Sequence, residues 1–208
     1  FGLVSLGLVG CGGDSPAGGA PEPEAAARRA SQLFTDVTDS SGVHFSHRSG
    51  AAGDWILTEI MGGGGALFDM DDDGDLDLLL LQGGADPSSS TTAQAGEGHA
   101  LFRNDGQGAF TDVSEGAGLE ALNGYAMGAA AGDVDGDGDV DLYVSQQGTD
   151  ALLLNEGDGR FRDATSAWGA GVKGWSTSAA FGDLDADGDL DLYVARYIEL
   201  DPKITCND

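Results

Sequence analysis

The sequence predicts an all-β fold, a β-propeller built of four-stranded blades of about 50 residues. Three observations predict it. An acidic nine-residue phrase occurs three times, a β-rich segment follows each copy, and a second phrase rich in Asn and Gly follows the first two copies. Short strands that recur at a spacing of about fifty residues are typical of propeller blades. The 208 residues hold about two and a half such blades.

The acidic phrase has the pattern Asp-x-Asp-x-Asp-Gly-Asp-x-Asp, and its copies are residues 69–77, 133–141 and 183–191. Carboxylates at positions 1, 3, 5, 7 and 9 supply the oxygen ligands of Ca²⁺, which takes about six to eight of them. Glycine at position 6 permits a sharp turn because it lacks a Cβ. One copy alone could be a solvated acidic turn. Three copies in register predict about three calcium ions.

We expect side-chain oxygens at positions 1, 3, 5 and 9, and the backbone carbonyl at position 7, to hold the ion in each loop. The ion has a structural role, because it cancels the repulsion among the carboxylates. The side-chain ligands are Asp69, Asp71, Asp73 and Asp77; Asp133, Asp135, Asp137 and Asp141; and Asp183, Asp185, Asp187 and Asp191. The carbonyls belong to Asp75, Asp139 and Asp189.

The flanking residues predict that each acidic loop is the tip of a β-hairpin. Small and apolar residues precede the loops, and apolar residues alternate after the second and third loops, as in half-buried strands. The segments before the loops are 63–68, 128–132 and 178–182, and those after them are 76–81, 140–145 and 190–195. An EF-hand needs flanking helices and a carboxylate at position 12. Position 12 is Leu80, Val144 or Val194.

The second phrase, Asn-x-Gly-x-Gly-x-Phe-x-Asp, starts at Asn104 and at Asn155. Asn and Gly between apolar stretches mark a tight turn, so we expect a second hairpin in each blade. The closing piece of this phrase also occurs alone at Phe34, where we expect an early strand. Residues 83–98 are rich in Pro, Ser, Thr, Gly and Ala, and they predict a flexible surface insertion in the first blade.

These residues carry a resemblance to a known family. The Asp loops resemble FG-GAP/VCBS repeats, the calcium-bearing units of integrin alpha-subunit propellers. Segments 124–133 and 175–183, with the Asn-Gly phrase, are similar to the cartilage-acidic-protein-like family, which usually adds a C-terminal ASPIC/UnbV module. The resemblance covers about residues 34–201. It implies that each loop joins the first and second strands of a blade, and that these residues are an N-terminal fragment of a seven-bladed whole.

The first residues predict an exported and lipid-anchored protein. Residues 1–11 look like a partial lipoprotein signal peptide, and Leu8-Val-Gly-Cys11 resembles a bacterial lipobox, with Cys11 as the lipidation site. The alternative for Cys11 is a free thiol on a short buried strand. Residues 12–33 have the composition of a disordered tether, and residues 34–208 hold the blades. We therefore expect the protein to be located in the bacterial cell envelope, on its periplasmic or extracellular face.

The second cysteine, Cys206, has two possible partners. If Cys11 is lipidated, we expect Cys206 to pair with a cysteine further along the chain, as exported proteins permit. A disulfide between Cys11 and Cys206 is the competing interpretation.

The charge and the motifs limit the functions. A net charge of −27 repels nucleic acid and anionic lipid, so we expect no nucleic-acid partner and membrane contact only through the N-terminal lipid. No nucleophile elbow, His-Glu-x-x-His or P-loop is present. The leading hypothesis is a calcium-stabilised binding or adhesion module for an extracellular or periplasmic protein or glycan. The alternatives are a glycan-acting enzyme with catalytic residues beyond this sequence, and a purely architectural propeller.

Two further features have competing interpretations. Tyr125 and Trp175 each lie eight residues before an Asp loop, where aromatic side chains either line a carbohydrate-binding mouth or wedge between adjacent blades. We favour the wedge. The glycine run Gly62–Gly65 is not followed by Lys-Ser/Thr, so it predicts close packing near the propeller axis in place of a phosphate-binding loop.

Overall fold

The computed structural model describes residues 35–49, 61–83 and 98–197. The predicted signal peptide with Cys11, the tether, Cys206 and most of the predicted insertion lie outside these residues. Among the residues that the structure describes, none of the helices has the length and hydropathy that a bilayer crossing requires.

The described residues form ten strands and three short helical segments, which confirms the all-β prediction. The strands are β1 (Gly65–Phe68), β2 (Asp77–Leu80), β3 (Ala100–Asn104), β4 (Phe110–Asp112), β5 (Tyr125–Gly132), β6 (Asp141–Thr149), β7 (Ala151–Asn155), β8 (Phe161–Asp163), β9 (Lys173–Gly182) and β10 (Asp191–Arg196). The helical segments are α1 (Thr38–Ser41), a 3₁₀ turn (Leu119–Ala121) and α2 (Thr165–Trp168).

The strands pair as two complete antiparallel blades and the start of a third. Strands β1 to β4 lie side by side in sequence order, and β5 to β8 repeat the arrangement. Strands β9 and β10 form the first hairpin of the third blade. The far end of β6 also pairs with β9, joining Gln147 to Trp175 and Thr149 to Lys173. The result is consistent with a partial β-propeller.

Each Asp loop is the tip of the hairpin that opens a blade, as predicted. The last strand residue before the loop faces the ninth loop residue in all three copies: Phe68 faces Asp77, Gly132 faces Asp141, and Gly182 faces Asp191. Position 12 lies within β2, β6 or β10 and not at a helix start. The three loops therefore share one register. The strand that follows each loop excludes the EF-hand arrangement, which needs flanking helices.

The main core lies between the first two blades. One face of the first blade meets the opposite face of the second in a single buried cluster, which includes Leu79, Leu81, Leu101, Leu142, Val144 and Leu153. A second cluster joins the other face of the second blade to the third, with Tyr143 and Leu152 packed against Phe181 and Leu192. Because a sheet must bury its apolar face against another layer, each blade depends on its neighbour.

Close backbone contacts explain three of the four glycines in the run Gly62–Gly65. A Cβ on Gly64 would lie 2.6 Å from the carbonyl oxygen of Met127 and 2.9 Å from the Cα of Gly128, so β1 and β5 approach at backbone distance. A Cβ on Gly65 would lie 2.5 Å from the carbonyl oxygen of Leu79, whereas Gly62 has no atom within 4 Å. A Cβ on Gly63 would overlap the carbonyl oxygen of Leu81, so the packing interpretation holds for Gly63, Gly64 and Gly65.

The early strand predicted at Phe34 is wrong where the structure describes it. Residues 35–37 are not in a strand, and α1 follows them directly. The equivalent residues in β4 and β8 pair with β3 and β7, but the described residues offer no such partner to 35–37. A strand needs a neighbour for its backbone hydrogen bonds, so the phrase alone forms only the turn that ends a blade.

This blade-ending turn is a third repeated feature of the chain, and the strand motifs did not predict it. The carboxylates of Asp36, Asp112 and Asp163 each accept the backbone N–H two residues later, at 3.0, 2.9 and 2.9 Å. Gly42 and Gly118 follow at corresponding places, both with φ of +81°. A Cβ on either would overlap a backbone carbonyl oxygen of the next blade, so the connection lies flat against that blade.

Candidate metal centres

Each hairpin tip gathers three carboxylates, those of positions 1, 3 and 9. One oxygen from each lies within 4.8 Å of the others, which suits a shared cation. The groups are Asp69, Asp71 and Asp77; Asp133, Asp135 and Asp141; and Asp183, Asp185 and Asp191. The structure thus brings together nine of the predicted side-chain ligands, three in each loop.

The first carboxylate closes the loop on itself. Its Oδ2 accepts the backbone N–H of the glycine at position 6, at 2.9 Å for Asp69, 3.0 Å for Asp133 and 3.1 Å for Asp183. These glycines have φ of +90°, +103° and +101°, a left-handed region that other residues seldom adopt. Glycine at position 6 is therefore required by the backbone as the loop wraps around its own first side chain.

Positions 5 and 7 are not part of these three-carboxylate groups. Instead, the Oδ1 atom at position 5 accepts the backbone N–H of position 7, at 2.9 Å in the first two loops and 3.0 Å in the third. This bond turns the chain after the glycine. The ligand roles of the position 5 side chain and the position 7 carbonyl stay predictions.

The ninth carboxylate anchors the loop to the blade. Asp77 is fully buried and accepts backbone N–H groups from Met70 at 2.9 Å and Asn104 at 2.8 Å. Asp141 is 1% exposed and accepts from Val134 at 2.9 Å and Asn155 at 2.8 Å. Burial raises the pKa of both carboxyl groups, because it disfavours the charged form.

The first loop also shows that the residues fit a hard cation. Asp71 Oδ1 is buried and has no hydrogen-bond partner, and a buried carboxylate oxygen without a partner is uncommon in a native structure. Burial first, and then the charge of Asp73, raise the pKa of Asp71. A cation among these oxygens would satisfy Asp71 Oδ1 and offset the repulsion. Carboxylate donors without nitrogen or sulfur match Ca²⁺ or Mg²⁺.

A cation that the sequence motifs do not reveal lies beside the first loop. Arg103 Nη1 lies 3.6 Å from Asp71 Oδ2, with the arginine side chain half exposed. The corresponding residue of the second blade is Leu154, since each directly precedes the Asn of the second phrase. That difference between the two copies was the available signal. The first loop therefore has a partial counter-charge from the protein itself.

The second phrase also does more than turn the chain. The side-chain amide of Asn104 donates to the carbonyl of Leu76 at 3.0 Å, and that of Asn155 donates to the carbonyl of Val140 at 3.2 Å. Both carbonyls belong to position 8 of an Asp loop. Spacing could not have revealed this link, because Asp77 and Asn104 are 27 residues apart whereas Asp141 and Asn155 are 14 apart.

The aromatic pair lies at the other end of the first strands. Tyr125 is fully buried and Trp175 is 3% exposed, and both pack in one cluster with Met61 and Met127. The hydroxyl of Tyr125 donates to the carbonyl of Met61 at 2.9 Å. These buried contacts between blades confirm the wedge interpretation.

A buried carboxylate outside the metal loops was also missed. Asp150 accepts hydrogen bonds from the hydroxyls of Tyr143 at 2.9 Å and Ser176 at 2.7 Å, and from the backbone N–H of Gln146 at 2.8 Å. Burial raises the pKa of Asp150. His99 holds the same place in the first blade, where its Nδ1 accepts the backbone N–H of the corresponding glutamine at 3.1 Å. Both side chains support the strand turn, a structural role.

Comparison with known proteins agrees with the repeat pattern. The family model described as FG-GAP-like repeat matches residues 69–144 and residues 133–194, so each match begins at the first Asp of a loop. The two matches together span more than half of the chain. No curated protein matches the sequence. The narrower likeness to the cartilage-acidic-protein-like proteins stays a prediction. With its hairpin-tip loops in one register and its four-stranded blades, the chain belongs to the FG-GAP-like repeat family.

Proposed function

We propose that the chain is a calcium-stabilised β-propeller module that binds a protein or glycan partner outside the cytoplasm. One observation supports the proposal of a bound metal: three hairpin tips in identical register each gather three carboxylates within 4.8 Å. Repetition of the same geometry argues for a cation and against a chance acidic turn. Calcium is the cation that extracellular modules commonly bind, with dissociation constants of about 10⁻⁴–10⁻³ M.

The ion's role in this proposal is structural. A bound ion stabilises the native state by RT ln(1 + [L]/Kd), so a tenfold excess over Kd contributes about 1.4 kcal/mol at each site. The loops hold the hairpin that opens each blade, and the blades bury one another's faces. Calcium would therefore stiffen the scaffold on which a binding surface lies. The net charge of −27 favours a neutral or basic partner over nucleic acid.

A thermal unfolding experiment tests the calcium role. Metal-stripped protein is titrated with CaCl₂ while the unfolding midpoint is followed, and the midpoint should rise with concentration. The matched control replaces the position 3 carboxylate of every loop, as Asp71→Asn, Asp135→Asn and Asp185→Asn combined, and its midpoint should respond much less. An unchanged midpoint of the unmodified protein would show that calcium has no structural role.

We also propose that lipid at Cys11 anchors the module to a bacterial envelope, with residues 12–33 as the tether. The support is the lipobox-like sequence before Cys11 and the composition of residues 12–33. In a bacterial host fed radiolabelled palmitate, the protein should carry label and sediment with membranes. Cys11→Ser should lose both properties, and Cys206→Ser should keep them. Label on the Cys11→Ser protein would refute the anchor.

A further inference from the structure

One side chain reaches from the second blade into the first metal loop. The amide of Asn155 donates to the carbonyl of Val140 in its own blade at 3.2 Å, and to the carbonyl of Met70 in the first blade at 2.8 Å. Met70 lies between Asp69 and Asp71, two of the grouped carboxylates of the first loop. Asn155 therefore holds the backbone of a loop that belongs to another blade.

The same residue is held by the second metal loop. Asp141, a grouped carboxylate of the second loop, accepts the backbone N–H of Asn155 at 2.8 Å. A continuous path thus runs from Asp141 through Asn155 to the backbone of Met70. Asn155 is 4% exposed, so water competes little for these bonds. An ion that orders Asp141 would order this path, and an ion in the first loop would order its other end.

Packing around Met70 strengthens the connection. Its side chain is 3% exposed and lies in the core cluster between the blades. A Cβ on Gly159, in the same turn as Asn155, would lie only 2.9 Å from Met70 Sδ. Between the two loops is a cleft of about 160 Å³ with Asp72 on one side and Asp139 on the other. The loops are close enough for the order of one backbone to affect the other.

Asn104 provides an internal comparison. It occupies the same place in the first blade, and its backbone N–H and side-chain amide make the same contacts within the blade. Its side-chain oxygen accepts the N–H of Gly106 at 3.1 Å, as that of Asn155 accepts from Gly157 at 3.1 Å. Of the hydrogen bonds that these two asparagines make to described residues, only the bond to Met70 has no counterpart at Asn104.

We propose that Asn155 is a positioning residue that couples the first and second metal loops, so that calcium at either loop raises the affinity of the other. The inference rests on the proposed calcium role. Because binding free energies are linked, the effect is reciprocal, and each ion strengthens the other by the same factor. Coupling between sites commonly corresponds to about 5–150-fold in affinity.

The test isolates the two loops in the full-length protein. The third loop is disabled in all samples by Asp183→Asn and Asp185→Asn. Calcium binding is then measured by isothermal titration calorimetry with both remaining loops intact, with only the first (Asp133→Asn, Asp135→Asn) and with only the second (Asp69→Asn, Asp71→Asn). The coupling factor is the constant for filling both loops divided by the product of the two single-loop constants.

We expect a coupling factor of at least about five in the parent. The coupling factor should fall to about one in Asn155→Ala and stay at the parent value in Asn104→Ala. Both variants lose the same side-chain contacts within a blade, but only Asn155→Ala loses the bond to Met70. General destabilisation by Asn155→Ala would lower the unfolding midpoint but would not bring the coupling factor to one. A factor of one in the parent, with calcium still bound, overturns the coupling and leaves the calcium role intact. An unchanged factor in Asn155→Ala overturns the assignment to Asn155, and no calcium binding by the parent overturns both proposals.

Discussion

The second and third Asp loops have the same pattern and the same hairpin register, yet their surroundings differ. Asp141 is buried and accepts two backbone N–H groups, one from its own loop and one from Asn155. Asp191 is exposed, and the structure shows one such bond, from Leu184 at 2.9 Å. The loop residues by themselves gather the carboxylates. In the second blade, the second hairpin and the adjacent blade bury these carboxylates. The described residues include neither a second hairpin for the third blade nor a blade that follows it.

The largest expected difference comes from removing the ninth carboxylate. Asp141→Ala leaves the buried N–H of Asn155 and the partly buried N–H of Val134 without an acceptor, and each such loss costs about 1–3 kcal/mol. In chelator, the free energy of unfolding measured with urea should fall by about 2–6 kcal/mol. Asp191→Ala should cost far less, because water can replace its partner. Equal losses for the two variants would mean that burial by the second hairpin contributes nothing.

A comparable contrast is expected at position 2 of the loops. Met70 is 3% exposed in the core between the blades, whereas Leu184 is 75% exposed. Met70→Ala should lower the free energy of unfolding by about 2–5 kcal/mol, because it removes buried volume. Leu184→Ala should change it by less than about 0.5 kcal/mol, as surface substitutions usually do. Urea unfolding of both variants checks this, and a large loss in Leu184→Ala would show that another part of the protein covers that side chain.

A smaller effect is expected at position 4. Gly136 and Ala186 both have positive φ, +75° and +63°, and the left-handed region is unfavourable for residues with a Cβ. A Cβ on Gly136 would have no neighbouring atom within 4 Å, so Gly136→Ala should destabilise through the backbone alone, by about 1 kcal/mol. Ala186→Gly should stabilise by a similar or smaller amount. Unfolding midpoints that move in the same direction for both variants would contradict this account.

The smallest expected effect is on pH dependence. Burial raises the pKa of Asp77 and Asp141, so the native state holds protons that the unfolded chain, titrating near 3.8, releases. The native state is therefore destabilised as the pH rises from the pKa of these carboxyl groups in the unfolded chain through their raised pKa in the native state. In chelator, the unfolding midpoint should be higher at about pH 5 than at about pH 7.5, and saturating calcium should reverse that order.

The control for this measurement uses the exposed loop. Asp77→Asn with Asp141→Asn should flatten the pH dependence in chelator, and Asp191→Asn, at the exposed copy of the same loop position, is the matched substitution. If the protein in chelator becomes steadily more stable up to neutral pH, other carboxyl groups dominate and the buried pair has little influence.

Local patterns predicted most of the secondary structure because each is a short-range effect. The alternation after Val140 and Leu190 predicted β6 and β10, and the Asn-Gly phrases predicted the hairpins β3–β4 and β7–β8. The same reasoning failed at residues 35–37, where the phrase is present but the described residues include no partner strand. A motif supplies the conformation that a strand can adopt, but the hydrogen bonds that make it a strand come from elsewhere.

The candidate metal sites likewise combine features that spacing within a loop predicts and contacts that it does not predict. The spacing of Asp within nine residues was enough to predict that Asp69 and Asp71 would meet at a hairpin tip with Asp77. The contacts of Arg103 and Asn155 with the first loop were not predictable from spacing, because they join residues far apart in the chain. Asn155 and Met70 are separated by 85 residues.

Local sequence is sufficient to specify the repeat, the three acidic turns, the glycines they need and the strands on either side. These depend on backbone conformation and on neighbours within a few residues. The burial of particular carboxylates, the amides that hold them and the contact of one loop with the next blade all depend on tertiary packing. Those properties arise when separate blades pack face to face, and the packing of distant segments leaves no local mark in the chain.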